Sequence, residues 1–194
     1  MEEPLKVIIG PMFAGKTKTV LALVEQLDSV VLISHGCDTR YGESEVVSHD
    51  GDRLPCVAVD KLDTKLVKGA RVVVIDEGQF FTDLEPFVLE CLALGKQVVV
   101  AGLDLLANGK PFGDMLKLAH LPESSVTYLQ SKCSVCNEAA PFSECLDGQG
   151  GVGGADRYEP RCAKHFSGDP SSAYKVDATC SRLVSDVNEA NEGM

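Results

Sequence analysis

Few folds can accommodate the octapeptide GPMFAGKT at residues 10–17, because of what stands on either side of it. It follows directly on the apolar run LKVII and opens the amphipathic stretch KTKTVLALVEQL, so it fits G-x-x-x-x-G-K-[ST] in a strand–turn–helix context. A strand that delivers such a turn onto a helix start aims successive backbone N–H groups, and the positive end of the helix dipole, at a single anion. In that arrangement Gly10, Pro11, Met12, Phe13, Ala14 and Gly15 form a phosphate cradle. Lys16 reaches the β- and γ-phosphates of a nucleotide, and the Thr17 hydroxyl takes a place on Mg²⁺.

The rest of the first 123 residues agrees with that start. Apolar, β-branched runs recur at 5–10, 29–34, 70–76 and 96–102, each continuous enough to be buried on both faces. Amphipathic stretches at 16–27 and 83–94 lie between them. Strands alternating with helices predict an α/β fold of the phosphate-loop, RecA-like kind, a parallel sheet with helices on both faces.

The run RVVVIDEGQFF, residues 71–81, ends a buried strand in two acids. An Asp at the tip of a strand near a phosphate loop suits Mg²⁺, which assigns Asp76 to the metal. Glu77 then points toward the crevice at the strand ends, where a carboxylate can accept a proton from an attacking hydroxyl or water. These residues leave ATP hydrolysis and phosphoryl transfer to an alcohol both open. Gln79 is placed with the phosphate-binding group; the hydrophilic segment 36–51 carries Asp38 and Arg40 two apart and reads equally as a solvated loop or as one whose Arg40 stabilises charge on a transferring phosphoryl group.

From about residue 124 the character changes. Cys133 and Cys136 form a CxxC arm, and Cys162 with His165 forms a second arm of the same spacing. Four soft ligands in two pairs suit a closed, tetrahedral, structural Zn²⁺ site. Cys145 and Cys180 match neither arm, and Cys91 sits in an apolar run that marks it as core. The glycines of DGQGGVGGADRY, between the arms, permit close approach of main chain to a ligand.

Six segments in order, GPMFAGKT, DTRY with SHDG, VIDEGQFF, GLDLLANGKPFGDMLKL, CSVC and GGADRYEPRCAKH, resemble the type II thymidine kinases, the cytosolic and viral group. The resemblance implies ATP-dependent phosphorylation of the 5′-hydroxyl of thymidine or deoxyuridine in pyrimidine salvage. It makes Glu77 the base on that hydroxyl, puts Thr17 and Asp76 on magnesium, and sets Asp38 and Arg40 beside the phosphates. It lines the nucleoside site with Met12, Phe80, Leu103, Phe112 and Tyr158. It also implies a lasso loop between the zinc arms that reads the base by main-chain contacts, for which Val152, Gly153 and Gly154 are the residues expected. A homotetramer, and feedback inhibition by thymidine triphosphate, follow from the resemblance alone. Two positions depart from the family pattern: Ala107 stands where an aromatic residue is common, which opens one side of the pocket, and His165 stands where cysteine is common.

Charge and composition weigh on the alternatives. A formal net charge of −11, with no basic cluster, opposes binding along a nucleic-acid backbone. This disfavours the rival reading, a phosphate-loop ATPase with a zinc ribbon acting as a nucleic-acid-associated motor or regulator. No apolar run approaches the ~20 residues needed to span a bilayer, and the opening MEEPLKVII leaves no room for a secretory signal. The expectation is a cytoplasmic protein without membrane partners. Its organisation is an ATP-binding domain at 1–123, a zinc and lasso module at 124–166, and a polar, loosely ordered tail at 167–194.

Overall fold

The structure, a computed structural model, describes residues 3–36, 45–48, 51–148 and 153–168. In chain order the strands are β1 (Leu5–Ile9), β2 (Val30–His35), β3 (Glu45–Val47), β4 (Arg53–Pro55), β5 (Val57–Val59), β6 (Val72–Ile75), β7 (Gln97–Gly102) and β8 (Ser124–Tyr128). Four more follow: β9 (Ser131–Lys132), β10 (Ala139–Ala140), β11 (Phe142–Cys145) and β12 (Tyr158–Arg161). The helices are α1 (Lys16–Val24), α2 (Leu84–Ala93) and α3 (Met115–Ala119).

Six strands form the main sheet in the order β5-β2-β6-β7-β1-β8, with every pairing parallel. The continuous apolar runs are explained by what covers them. Successive side chains of a strand point to opposite faces. Val7 and Ile9 of β1, Val73 and Ile75 of β6, and Val98 and Val100 of β7 pack with Leu84, Phe87 and Val88 of α2 and Met115 and Leu118 of α3. The intervening Ile8, Val72, Val74, Val99 and Ala101 pack with Val20 and Leu21 of α1 on the other face. Cys91 is fully buried on the α2 side, as its apolar neighbours predict.

The sheet extends past residue 123. β8 pairs with β1 from Leu5↔Ser124 to Ile9↔Tyr128, so the run SSVTY is an edge of the main sheet. The separate module begins at Ser131, where two small antiparallel pairs, β9–β10 and β11–β12, surround the cysteines. Among the described residues no helix is long and apolar enough to cross a membrane.

Candidate active site and metal centre

The strand order decides what can meet. β7 lies between β1 and β6, so the phosphate loop, the tip of β6 and the tip of β7 converge at the C-terminal edge of the sheet, where open parallel sheets bind ligands.

The loop has the conformation its sequence demands. Gly10 has φ 144°, and a Cβ there would sit 2.1 Å from the Leu129 carbonyl oxygen, so no other residue fits. Phe13 and Gly15 also take positive φ, 62° and 84°, and Gly15 is the residue from which α1 starts at Lys16. The Lys16 side chain is buried, and its Nζ donates to the carbonyls of Gly10 at 3.0 Å and Pro11 at 2.7 Å. The ammonium is thus folded onto its own loop, within reach of any phosphate seated there.

Asp76 follows β6 and is buried. Burial first, and then the neighbouring Glu77, push its carboxyl up to about 7, against the Thr17 hydroxyl hydrogen bond, the Glu77 N–H and the charge of Lys16. The two residues assigned to magnesium are therefore in mutual contact. A desolvated carboxylate beside a hydroxyl is the donor set that a hard cation suits, since the ion's charge offsets the burial cost.

Glu77 occupies the left-handed region, φ 54° and ψ 40°. A non-glycine residue there costs on the order of 1–2 kcal/mol, a kind of strain that clusters at functional sites. The carboxylate is held by Gln79, whose Nε2 donates to Glu77 Oε2 at 2.6 Å while its Oε1 accepts the Leu103 N–H at 2.9 Å. Gln79, expected beside the phosphates, is buried and has both ends of its amide committed, to Glu77 and to Leu103, the residue after β7. Phe80 and Phe112 meet edge to face with ring centroids 5.5 Å apart, and His35 lies 5.9 Å from Phe80. Phe80 and Phe112 thus pack beside the Glu77–Gln79 pair, to which Leu103 is joined through its main-chain N–H.

The module reaches the phosphate loop through two contacts that no motif announces. The Met12 N–H donates to Ser143 Oγ at 2.8 Å, and the Ser131 hydroxyl donates to the Phe13 carbonyl at 3.3 Å. Ser143 and Tyr158 lie on the paired strands β11 and β12, so the buried Tyr158 shares the small sheet that touches Met12. Where the segment between the two cysteine arms leaves and rejoins the small sheet, Arg157 Nε donates to Asp147 Oδ2 at 2.9 Å and Leu146 N–H to the Arg157 carbonyl at 2.8 Å. Gly153 packs closely, since a Cβ there would lie 2.9 Å from Arg157 Cδ. The Gly154 carbonyl accepts the N–H groups of Arg157 and Tyr158 at 3.1 Å each. Cys145, set aside on spacing, lies opposite Tyr158 and donates to Asp147 Oδ1 at 3.0 Å. Asp38, Arg40, Val152 and Cys180 lie outside the described residues, as does most of the tail.

Cys133, Cys136, Cys162 and His165 converge with their ligand atoms all within 4.8 Å of one another. Cys133 Sγ to His165 Nδ1 is 3.6 Å, Cys136 Sγ to Cys162 Sγ 3.6 Å, and Cys162 Sγ to His165 Nδ1 3.3 Å. Ligands bonded to one tetrahedral Zn²⁺ lie about 3.5–3.8 Å from each other, so the donor set fits that ion. Burial raises the Cys133 thiol, but the N–H groups of Cys162, Val135 and Cys136 and the His165 ring outweigh it and bring it down to about 6. Amides aimed at sulfur favour the thiolate, the form that binds metal.

Fold and site together define a phosphate-loop α/β protein with a paired Asp–Glu following β6 beside that loop and a Cys₃His cluster whose small sheets hydrogen-bond to it. A profile of the family described as "Thymidine kinase" matches residues 3–166. A thymidine kinase of Oryza sativa subsp. japonica is 39% identical over 178 residues, covering 84% of this chain and 65% of that protein. One from Coprothermobacter proteolyticus is 39% identical over 178 residues, 83% of this chain and 89% of its own length. One from rabbit fibroma virus is 34% identical over 172 residues, 84% and 95% respectively. The chain belongs to the thymidine kinase family.

Proposed function

We propose that the chain transfers the γ-phosphate of ATP to the 5′-hydroxyl of thymidine, and of deoxyuridine, giving the monophosphate for pyrimidine salvage. The observation that carries this reading is the Glu77 carboxylate, fixed by Gln79 past the tip of β6 beside the apolar pair Phe80 and Phe112, which with Leu103 we read as the nucleoside wall. A nucleoside lying on that wall presents an alcohol to Glu77 and to the terminal phosphate together. The apolar setting favours a bound organic acceptor over bulk water, which sets the ATPase reading aside.

Glu77 takes the proton from the 5′-oxygen as that oxygen attacks phosphorus. Lys16 exchanges its loop carbonyls for phosphate oxygens, and the loop N–H groups hold the phosphates still. Thr17 and Asp76 would hold Mg²⁺, which when bound neutralises charge on the β- and γ-phosphates. Asp38 and Arg40 serve beside the phosphates. Tyr158, with Val152, Gly153 and Gly154, closes over the base. Cys133, Cys136, Cys162 and His165 would hold Zn²⁺, which fixes both ends of the lasso.

We assign residues 1–123, completed by β8, to ATP binding, 124–166 otherwise to the lasso module, and 167–194 to a tail. The assembly is a cytoplasmic homotetramer, inhibited by thymidine triphosphate bound with its base in the nucleoside site. A coupled assay of ADP release with and without thymidine tests the reaction, and release indifferent to thymidine refutes it. Glu77→Ala is expected to lower kcat by about 10²–10⁴-fold with thymidine binding retained.

A further inference from the structure

The hairpin that carries Leu103 and Phe112 is held from two directions. It spans residues 103–113, with an antiparallel bridge between Leu105 and Pro111, and the Leu106 N–H donates to the Lys110 carbonyl at 2.8 Å to close its turn. On one side it rests on Gln79: the Leu103 N–H donates to Gln79 Oε1 at 2.9 Å, and a Cβ at Gly113 would lie 2.5 Å from the Gln79 carbonyl oxygen. On the other side Leu105 packs on Phe142 and Phe166, whose rings stack with centroids 4.4 Å apart and planes 12° from parallel. Phe142 belongs to β11, and Phe166 directly follows His165.

We propose that Leu105 is a positioning residue for the nucleoside site: packed on the Phe142–Phe166 stack, it ties the hairpin of Leu103 and Phe112 to the Cys₃His cluster. This rests on the kinase reading of the site.

Both rings hang on backbone that flanks the metal ligands. The N–H groups of His165 and Phe166 each donate to the Cys162 carbonyl at 3.0 Å, so the turn that presents His165 to the cluster also places the Phe166 ring. Phe142 pairs across β11–β12 with Arg161, the residue before Cys162. A two-stranded ribbon of this size is marginal by itself, so the rings keep their places only while the cluster keeps its own. The rings are 2% and 8% exposed, and Leu105 is the hairpin side chain packed on them. The next residue, Leu106, is 38% exposed and stands outside that cluster. From Leu105 the path into the site is short. Its bridge partner Pro111 precedes Phe112, whose N–H donates to the Asp104 carbonyl at 2.9 Å and whose ring meets Phe80. A shift of Leu105 therefore moves the nucleoside wall, whereas the phosphate loop is tied to the module by other residues, Ser143 and Ser131.

Leu105→Ala in the full chain tests this, with Leu105→Met and Leu106→Ala beside it. Calorimetric titration of thymidine into zinc-loaded protein is expected to show about fivefold weaker binding for Leu105→Ala, as for loss of a few partly buried carbons. Leu105→Met keeps the volume and binds thymidine within about twofold of wild type, as does Leu106→Ala. Affinity for Mg·ATP and kcat stay within about twofold in all three, the split that a positioning role at the nucleoside requires. After zinc is chelated, wild type and Leu105→Ala bind thymidine equally, because the stack no longer holds the hairpin. Hydrogen exchange gives a readout that needs no nucleoside: the amides of residues 105–112 exchange faster in zinc-loaded Leu105→Ala than in wild type, and chelation erases the difference. Thymidine affinity of zinc-loaded Leu105→Ala within about twofold of wild type overturns the proposal. An equal loss in loaded and stripped protein, or the same loss in Leu106→Ala, overturns it too, leaving Leu105 as a brace internal to the hairpin. If the wild-type chain binds no thymidine, the proposed function fails while the exchange of the hairpin amides still decides the role of Leu105.

Discussion

Gln79→Glu changes a single –NH₂ to oxygen in a side chain that is 3% exposed. The acceptor for the Leu103 N–H survives, and the donor that grips Glu77 Oε2 at 2.6 Å does not. The lost charge-assisted hydrogen bond is worth about 1.5–3 kcal/mol. Two full charges about 3 Å apart at an effective dielectric of about 20 would repel by on the order of 5 kcal/mol. A proton shared between the two carboxylates costs less than that repulsion, so near pH 7 the pair keeps one. Glu77 is then no longer available as a proton acceptor, and kcat is expected to fall by at least about 10²-fold, the lower range of general-base contributions. Because the shared proton leaves as pH rises, activity should recover in part toward pH ~9 while the melting temperature stays close to wild type. Gln79→Leu separates the effects: it also orphans the Leu103 N–H, costing about 1–3 kcal/mol of stability, and shows no such recovery. Steady-state kinetics from pH ~6 to ~9 beside thermal melts measure all of this. A Gln79→Glu enzyme within about threefold of wild-type kcat at pH ~7 would refute the grip of Gln79 on the base.

Two other perturbations address the module. Removing metal with a chelator, or replacing Cys162 with serine, is expected to weaken thymidine binding more than about tenfold. It should weaken Mg·ATP by about threefold, because the Ser143–Met12 and Ser131–Phe13 bonds tie the loop to the module. Unchanged ATP affinity on calorimetry would deny that link. Glu144 is raised by burial but held below the usual carboxylate range by the Ser167 hydroxyl and N–H and by Arg161, whose Nε lies 2.7 Å from Glu144 Oε2. A depressed folded-state pKa contributes stability above the unfolded value of 4.5 that disappears as pH falls through the lower folded value. Glu144→Gln should therefore melt lower than wild type at neutral pH, with the gap closing in acid. A gap that persists unchanged in denaturation at low pH would count against the pairing.

The sheet was legible because its strands are buried on both faces, which writes each as an unbroken apolar run such as VVVI or QVVVAG. The phosphate loop and the Asp76–Glu77 pair were legible for a related reason. A motif is readable when its parts are adjacent in sequence and its backbone needs glycine. β8 was harder to place, since every residue of SSVTY is only half-buried and its polar alternation resembles the module that follows. The Ser143–Met12 bond joins residues 131 positions apart through a backbone N–H, and nothing in either local sequence encodes it. Nor does sequence show that Glu77 takes a left-handed backbone.

The halves of this site are held by different physics, and that difference bears on how it works. Gly10 is locked against the Leu129 carbonyl, and Leu129 N–H bonds back to the Ile9 carbonyl at 2.8 Å, so the phosphate loop inherits the rigidity of the sheet core. The half proposed for the nucleoside rests instead on aromatic contacts, a loop base closed by one partly exposed ion pair, and four residues able to hold a metal gathered in a small cluster. Electrostatic stabilisation of a transferring phosphoryl group requires donors that do not reorganise, which suits the rigid half. Sequestering a nucleoside requires a segment that opens and shuts, which suits the half with few buried contacts. Gln79, Ser143 and Ser131 are where the two halves are hydrogen-bonded together, the first at Glu77 and the other two at the phosphate loop.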